Sequence, residues 1–128
     1  MFGEEGADTI LGLAGNDIVS GGEGNDFIDG GVNRDFLRGD VGNDRIRGGE
    51  HGDTLIGDER NDILLGEGGD DNLFGGEGRD LLIGGRNSDI LDGGVAQDIL
   101  IGGTTDHDSD EIALQSIMAE WTSTRTGA

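Results

Sequence analysis

Large aliphatic residues recur along this chain at a fixed interval of nine. They stand at Ile10, Val19, Ile28, Leu37, Ile46, Leu55, Leu64, Leu73, Leu82, Leu91 and Leu100. The stretch from Gly3 to Ile101 divides without insertion into eleven nonapeptides, beginning GEEGADTIL, GLAGNDIVS and GGEGNDFID. Together they define the template G-G-x-G-x-D-x-U-x, where U is the aliphatic position. Fixed-period self-similarity of this kind marks a repeat architecture, here a parallel β-helix.

Positions one to six are rich in Gly and Asp and predict a turn, while positions seven to nine predict a three-residue strand. The middle side chain of such a strand faces opposite to its neighbours, so all eleven aliphatic residues are expected to point inward. Two nonapeptides close one coil, which sends odd blocks into one parallel sheet and even blocks into the other. Five and a half coils at about 4.8 Å per rung give a length of roughly 26 Å. The expected core is one aliphatic side chain per half-coil, which is thin. From Gly102 the period fails, with His107 where the next aspartate would stand. The chain is therefore expected to divide into a roll over residues 1–103 and an extension over 104–128. Within the extension, Asp108 and Glu111 are spaced as a capping box. Leu114, Ile117, Met118 and Trp121 form one stripe, predicting a short helix at about 109–121. The residues after Thr122 are expected to fray.

Glycine placement supports the turn reading. Of 28 glycines, 23 occupy positions one, two or four, where a tight loop must visit positive φ. Position four departs from glycine at Asn33, His51, Arg60, Asn87 and Ala96. The loops at 48–53, 57–62 and 93–98, which carry His, Arg and Ala there, are expected to be the looser ones, unless the repeat accepts these substitutions freely.

Composition changes the picture in one respect. Only 32% of the chain is apolar, net charge is −20, and all eight cations are arginine. On charge and hydropathy alone such a chain would be disordered, so the regular period demands something that neutralises the carboxylates. The same acidity argues against nucleic acid and anionic membranes as partners. Cysteine is absent, excluding disulfides and thiol chemistry. No apolar run approaches the roughly 18 residues that span a bilayer, and no cleavable leader precedes the first block. The abrupt start suggests a fragment of a larger polypeptide.

Position six is aspartate in every block: Asp8, Asp17, Asp26, Asp35, Asp44, Asp53, Asp62, Asp71, Asp80, Asp89 and Asp98. Calcium requires six to eight hard oxygens, and one loop offers too few. Two loops one coil apart can share the work, so the relevant spacing is 18 residues. One edge would stack Asp8–Asp26–Asp44–Asp62–Asp80–Asp98 with five bracketed sites, and the other Asp17–Asp35–Asp53–Asp71–Asp89 with four. Nine divalent ions would bring about +18 against the formal −20. Without them, acidic rows repeating every ~4.8 Å would repel strongly.

These residues resemble the hemolysin-type calcium-binding repeat, the RTX nonapeptide of secreted bacterial proteins. GGEGNDFID at Gly21–Asp29 matches every specified position. The resemblance implies an all-β, right-handed parallel β-helix, or β-roll, carrying Ca²⁺ in its turns. Its ligands would be the position-six aspartates and backbone carbonyls near Gly22, Gly24, Gly31, Gly42, Gly49, Gly76, Gly78 and Gly85. It also implies one-step, type I-like export, an extracellular location, and calcium-driven folding in the service of secretion, stability or display rather than catalysis. Partners would be calcium and either the rest of a larger polypeptide or cell-surface material. The alternatives are the C-terminal secretion module of a larger secreted enzyme, or an adhesin or toxin module. The extension resembles those that follow such repeats in large bacterial surface proteins.

Other features do not point to chemistry. Asp106, Asp108 and Asp110 alternate like an EF-hand opening, but Glu111 and Ile117 stand where that loop needs Gly and Glu. These acids are instead either candidates to complete the last half-site beyond Asp89 or a solvated acidic loop. His51 and His107 have no partner at zinc spacing, and no nucleophile context suggests an enzyme. On the odd face, Ile63, Leu65, Leu81, Ile83, Ile99 and Ile101 should form an exposed patch ended by Arg45 and Arg47, which the C-terminal helix is expected to cover, the alternatives being a partner chain or simple tolerance of exposed aliphatics.

Overall fold

The structure is a computed structural model that describes residues 1–103. The extension at 104–128 and the helix expected at about 109–121 lie outside the described residues, as do Asp106, His107, Asp108 and Asp110.

Eleven strands follow in order: β1 (Thr9–Leu11), β2 (Ile18–Ser20), β3 (Phe27–Val32), β4 (Phe36–Val41), β5 (Arg45–Glu50), β6 (Thr54–Glu59), β7 (Ile63–Glu67), β8 (Asn72–Gly76), β9 (Leu81–Gly85), β10 (Ile90–Asp92) and β11 (Ile99–Gly103). Odd strands form one six-stranded sheet and even strands a five-stranded one. Every pairing is parallel with partners 18 residues apart, as in Ile28↔Ile46 and Leu37↔Leu55. The result is an all-β solenoid whose core is a single aliphatic file along each sheet. Val19, Ile28, Leu37, Ile46, Leu55, Leu64, Leu73 and Leu82 are sealed from solvent, with Ile10 and Leu100 nearly so and Leu91 packed against them.

Two expectations need correction. In the middle coils the strands are not three residues long: β3 to β6 run six residues, through positions one to three of the following block. Each added rung offers ladder partners on both sides, so pairing extends into residues that read as turn. The inward face of the extended strand then repeats with period two as aspartate, aliphatic, glycine.

The second correction concerns glycine at position one. Positive φ belongs to position four in all eleven blocks and to position two in most, not to position one. A Cβ at Gly48 would lie 2.6 Å from Asp53 Oδ2 and 2.9 Å from the Gly66 carbonyl oxygen. Equivalent crowding by the block's own aspartate occurs at all eleven position-one glycines. The invariant glycine thus makes room for the inward carboxylate. At position four, a Cβ at Gly24, Gly42, Gly69 or Gly78 would meet the carbonyl of the loop one coil earlier, and the left-handed backbone itself costs about 1–2 kcal/mol per residue. Asn33, His51, Arg60, Asn87 and Ala96 accept it with φ between 73° and 83°. The loops expected to be looser therefore keep the same left-handed backbone as the glycine loops.

Candidate metal sites in the stacked loops

Each position-six aspartate is held inward by the strand that follows it. From Asp26 to Asp80 they are no more than 3% exposed, and Asp98 matches them. One carboxylate oxygen has a fixed partner. Asp26 Oδ1 accepts from the Asp8 amide at 2.8 Å, Asp44 Oδ1 from Asp26, and Asp62 Oδ1 from Asp44. The other row repeats the pattern, with Asp35, Asp53 and Asp71 each accepting from the aspartate one coil earlier at 2.8 Å. The two 18-residue rows read from the sequence are thus physically contiguous.

The second oxygen has none. Oδ2 of Asp17, Asp26, Asp35, Asp44, Asp53, Asp62, Asp71, Asp80 and Asp89 is buried without any hydrogen-bond partner. An unsatisfied buried polar group costs about 1–3 kcal/mol, and more when charged. Nine of them would match or exceed the roughly 5–15 kcal/mol that stabilises a whole domain. Burial, the largest cause, drives the carboxyls upward: Asp44 and Asp80 to about 6, Asp53 and Asp71 to about 7, and Asp62 to about 8. Neighbouring carboxylates of the same row add to the rise at Asp62. Asp26, Asp35, Asp89 and Asp98 are raised for the same first reason.

Backbone oxygens share the space. The left-handed residues at positions two and four turn their carbonyls along the stack toward the next loop, as Leu13 O and Gly6 O face Gly31 and Gly24. Several position-two carbonyls also carry inter-coil hydrogen bonds: Gly22 O accepts from Val41 at 3.0 Å, Gly49 O from Gly68 at 2.8 Å, and Gly76 O from Val95 at 3.1 Å. A carbonyl has two lone pairs, so one remains for a further donor or a cation. Among the described residues, no three His, Cys, Asp or Glu side chains converge on one point. A hard cation here must therefore draw on carbonyls as well as carboxylates. The donor set, all oxygen with an orphaned buried carboxylate oxygen at nearly every turn, fits calcium and not a softer metal.

Sequence reasoning missed a second ladder, one residue earlier. Asn16, Asn25, Asn43, Asn61 and Asp70 at position five accept through Oδ1 from the amide 18 residues later, at 2.8–3.0 Å. Position six accepts from the coil before and position five from the coil after, so the loops that carry both, at Asn25–Asp26, Asn43–Asp44, Asn61–Asp62 and Asp70–Asp71, are tied in both directions. The recurrence of Asn or Asp at position five was the available signal. His51 belongs to this scaffold: its Nδ1 lies 3.2 Å from the Asn33 amide nitrogen, which donates to it. No helix among the described residues is long and apolar enough to cross a membrane.

Comparison with curated proteins returned no match. The profile of the RTX calcium-binding nonapeptide repeat matches four times, over residues 2–37, 30–64, 47–82 and 74–106. With its invariant aspartates stacked one coil apart inside a parallel solenoid, the chain belongs to the RTX calcium-binding nonapeptide repeat family.

Proposed function

We propose that this chain is a calcium-folded structural module in which cations lie between loops one coil apart. Asp8, Asp26, Asp44, Asp62, Asp80 and Asp98 would hold them on one edge, and Asp17, Asp35, Asp53, Asp71 and Asp89 on the other. Carbonyls near Gly22, Gly24, Gly31, Gly42, Gly49, Gly76, Gly78 and Gly85 would complete the shells. The observation that carries this reading is the set of nine partnerless Oδ2 atoms. Bound calcium supplies two positive charges and coordination to those oxygens. The chain supplies the rest: Oδ1 fixes the carboxylates from Asp26 to Asp98 through the amide one coil earlier, position-one glycine leaves them room, and the aliphatic file keeps water out.

Up to about nine ions would bring the net charge of −20 close to neutrality. Ions that bind the folded chain alone stabilise it by mass action at each site. Sites of the extracellular class, with dissociation constants of about 10⁻⁴–10⁻³ M, would leave the chain unfolded inside a cell and rigid outside. That fits a secreted module serving export, stability or display, with no catalytic role. Calorimetric titration with calcium, read beside far-UV circular dichroism, tests it. Heat and β-structure should appear together, and a chain already folded in chelator at neutral pH overturns the reading.

A further inference from the structure

The outer faces of the two sheets differ. On the even sheet apolar and polar residues share each rung, as Phe36 with Arg38 and Asn72 with Phe74. On the odd sheet the last three rungs are aliphatic at both outward positions. Ile63 and Leu65 pair with Leu81 and Ile83, which pair with Ile99 and Ile101. Ile63, Ile99 and Ile101 are 38–41% exposed. The rung below carries Arg45 and Arg47, in register with Ile63 and Leu65. Arg47 is committed to Glu67 at 2.8 Å and to Asp29 at 3.8 Å.

We propose that this face is the docking surface of the chain's own C-terminal segment, residues 104–128. The segment leaves β11, the last rung of the patch, so its occupant is delivered at the patch edge. Its first residues, 104–108, can span up to about 17 Å, enough to double back. Its apolar stripe, Leu114, Ile117, Met118 and Trp121, covers about 10 Å of helix at 1.5 Å per residue. Three rungs cover about 10 Å as well, and the stack direction is the one along which the patch extends. Charge agrees with this direction. Laid from β11 toward β5, the helix brings Glu120 and its negative C-terminal end to Arg45, which forms no ion pair among the described residues.

Trp121 is the chain's one tryptophan and reports on docking directly. In calcium, with circular dichroism confirming the folded roll, its emission should move to the blue and iodide quenching should fall several-fold relative to the unfolded chain. Leu65→Glu with Ile83→Glu places two charges on the patch without entering the core. It should restore quenching while leaving the dichroism unchanged, whereas Phe74→Glu on the other sheet should not. If the double variant fails to fold, Ile117→Glu, outside the roll, must free Trp121 to the same extent. A fully exposed Trp121 in the folded protein overturns the proposal, as does shielding unaffected by these variants. Shielding lost on dilution together with a dimer assigns the face to a second copy instead. Dichroism reads folding separately, so failure of docking is distinguishable from failure of the calcium reading.

Discussion

The middle coils and the end coils are built from the same nonapeptide and behave differently. Ile28 through Leu82 are sealed completely, while Ile10 and Leu100 are 9% and 8% exposed and Leu91 is half-buried. Strands reach six residues at β3 to β6 and three at β1, β2 and β10. The carboxyl pKa peaks at Asp62 and falls away toward both ends of the stack. A coil is thus worth what its two neighbours make it, as expected of a quasi-one-dimensional array. The property that makes middle coils dry also makes their aspartates the hardest to ionise.

The largest effect should come from removing calcium and then changing pH. A carboxyl whose folded-state pKa lies above its unfolded value favours folding below the unfolded value and loses that contribution as pH rises through the folded one. Here the window runs from the ordinary 3.8 to about 8. In chelator the chain should be coil at pH 8 and regain β-structure near pH 4. Hydrogen-exchange protection in the acid form should peak around Asp53–Asp71, and uniform protection along the stack would erase the distinction between middle and ends.

Core truncation should sharpen the same contrast. Leu64→Ala should cost about 2–5 kcal/mol in calcium and Leu91→Ala clearly less, measured by urea denaturation. At position one, Gly57→Ala forces a methyl onto the Asp62 carboxylate and the Gly75 carbonyl and should cost about 1–3 kcal/mol as overpacking. Gly3→Ala, at the end of the stack, should cost less because its neighbours can yield. Relieving a left-handed residue works the other way: Ala96→Gly should raise stability by up to about 1 kcal/mol. The smallest effect belongs to the surface. Arg38 pairs with Asp58, its Nε donating at 2.9 Å, and Arg38→Ala should change stability by less than about 1 kcal/mol in thermal denaturation.

Much of this architecture was legible in the sequence. The nine-residue period gave the two sheets, the 18-residue register and the inward file from Ile10 to Leu100. It also gave the two aspartate rows, whose amides and carboxylates prove to be bonded coil to coil. The strand extension through Gly30–Val32 was not legible, because pairing beyond position nine depends on having neighbours on both sides. Nor was the reason for glycine at position one: a single block shows a flexible residue, and only the folded strand reveals a carboxylate above it. The diagonals Arg38–Asp58 and Arg47–Glu67 span 20 residues, two beyond the repeat, and arise from side-chain reach across rungs.

The alternation of odd and even blocks between sheets has a consequence for how such a chain can change length. Losing or duplicating two adjacent nonapeptides removes or adds a whole turn and leaves every later residue on its original wall. Losing one sends everything downstream to the opposite wall, so a deletion before β7 would transfer the six outward aliphatics from one side of the molecule to the other. Viable length variants should therefore differ by multiples of eighteen residues, unless the transplanted surface finds a cover where it lands.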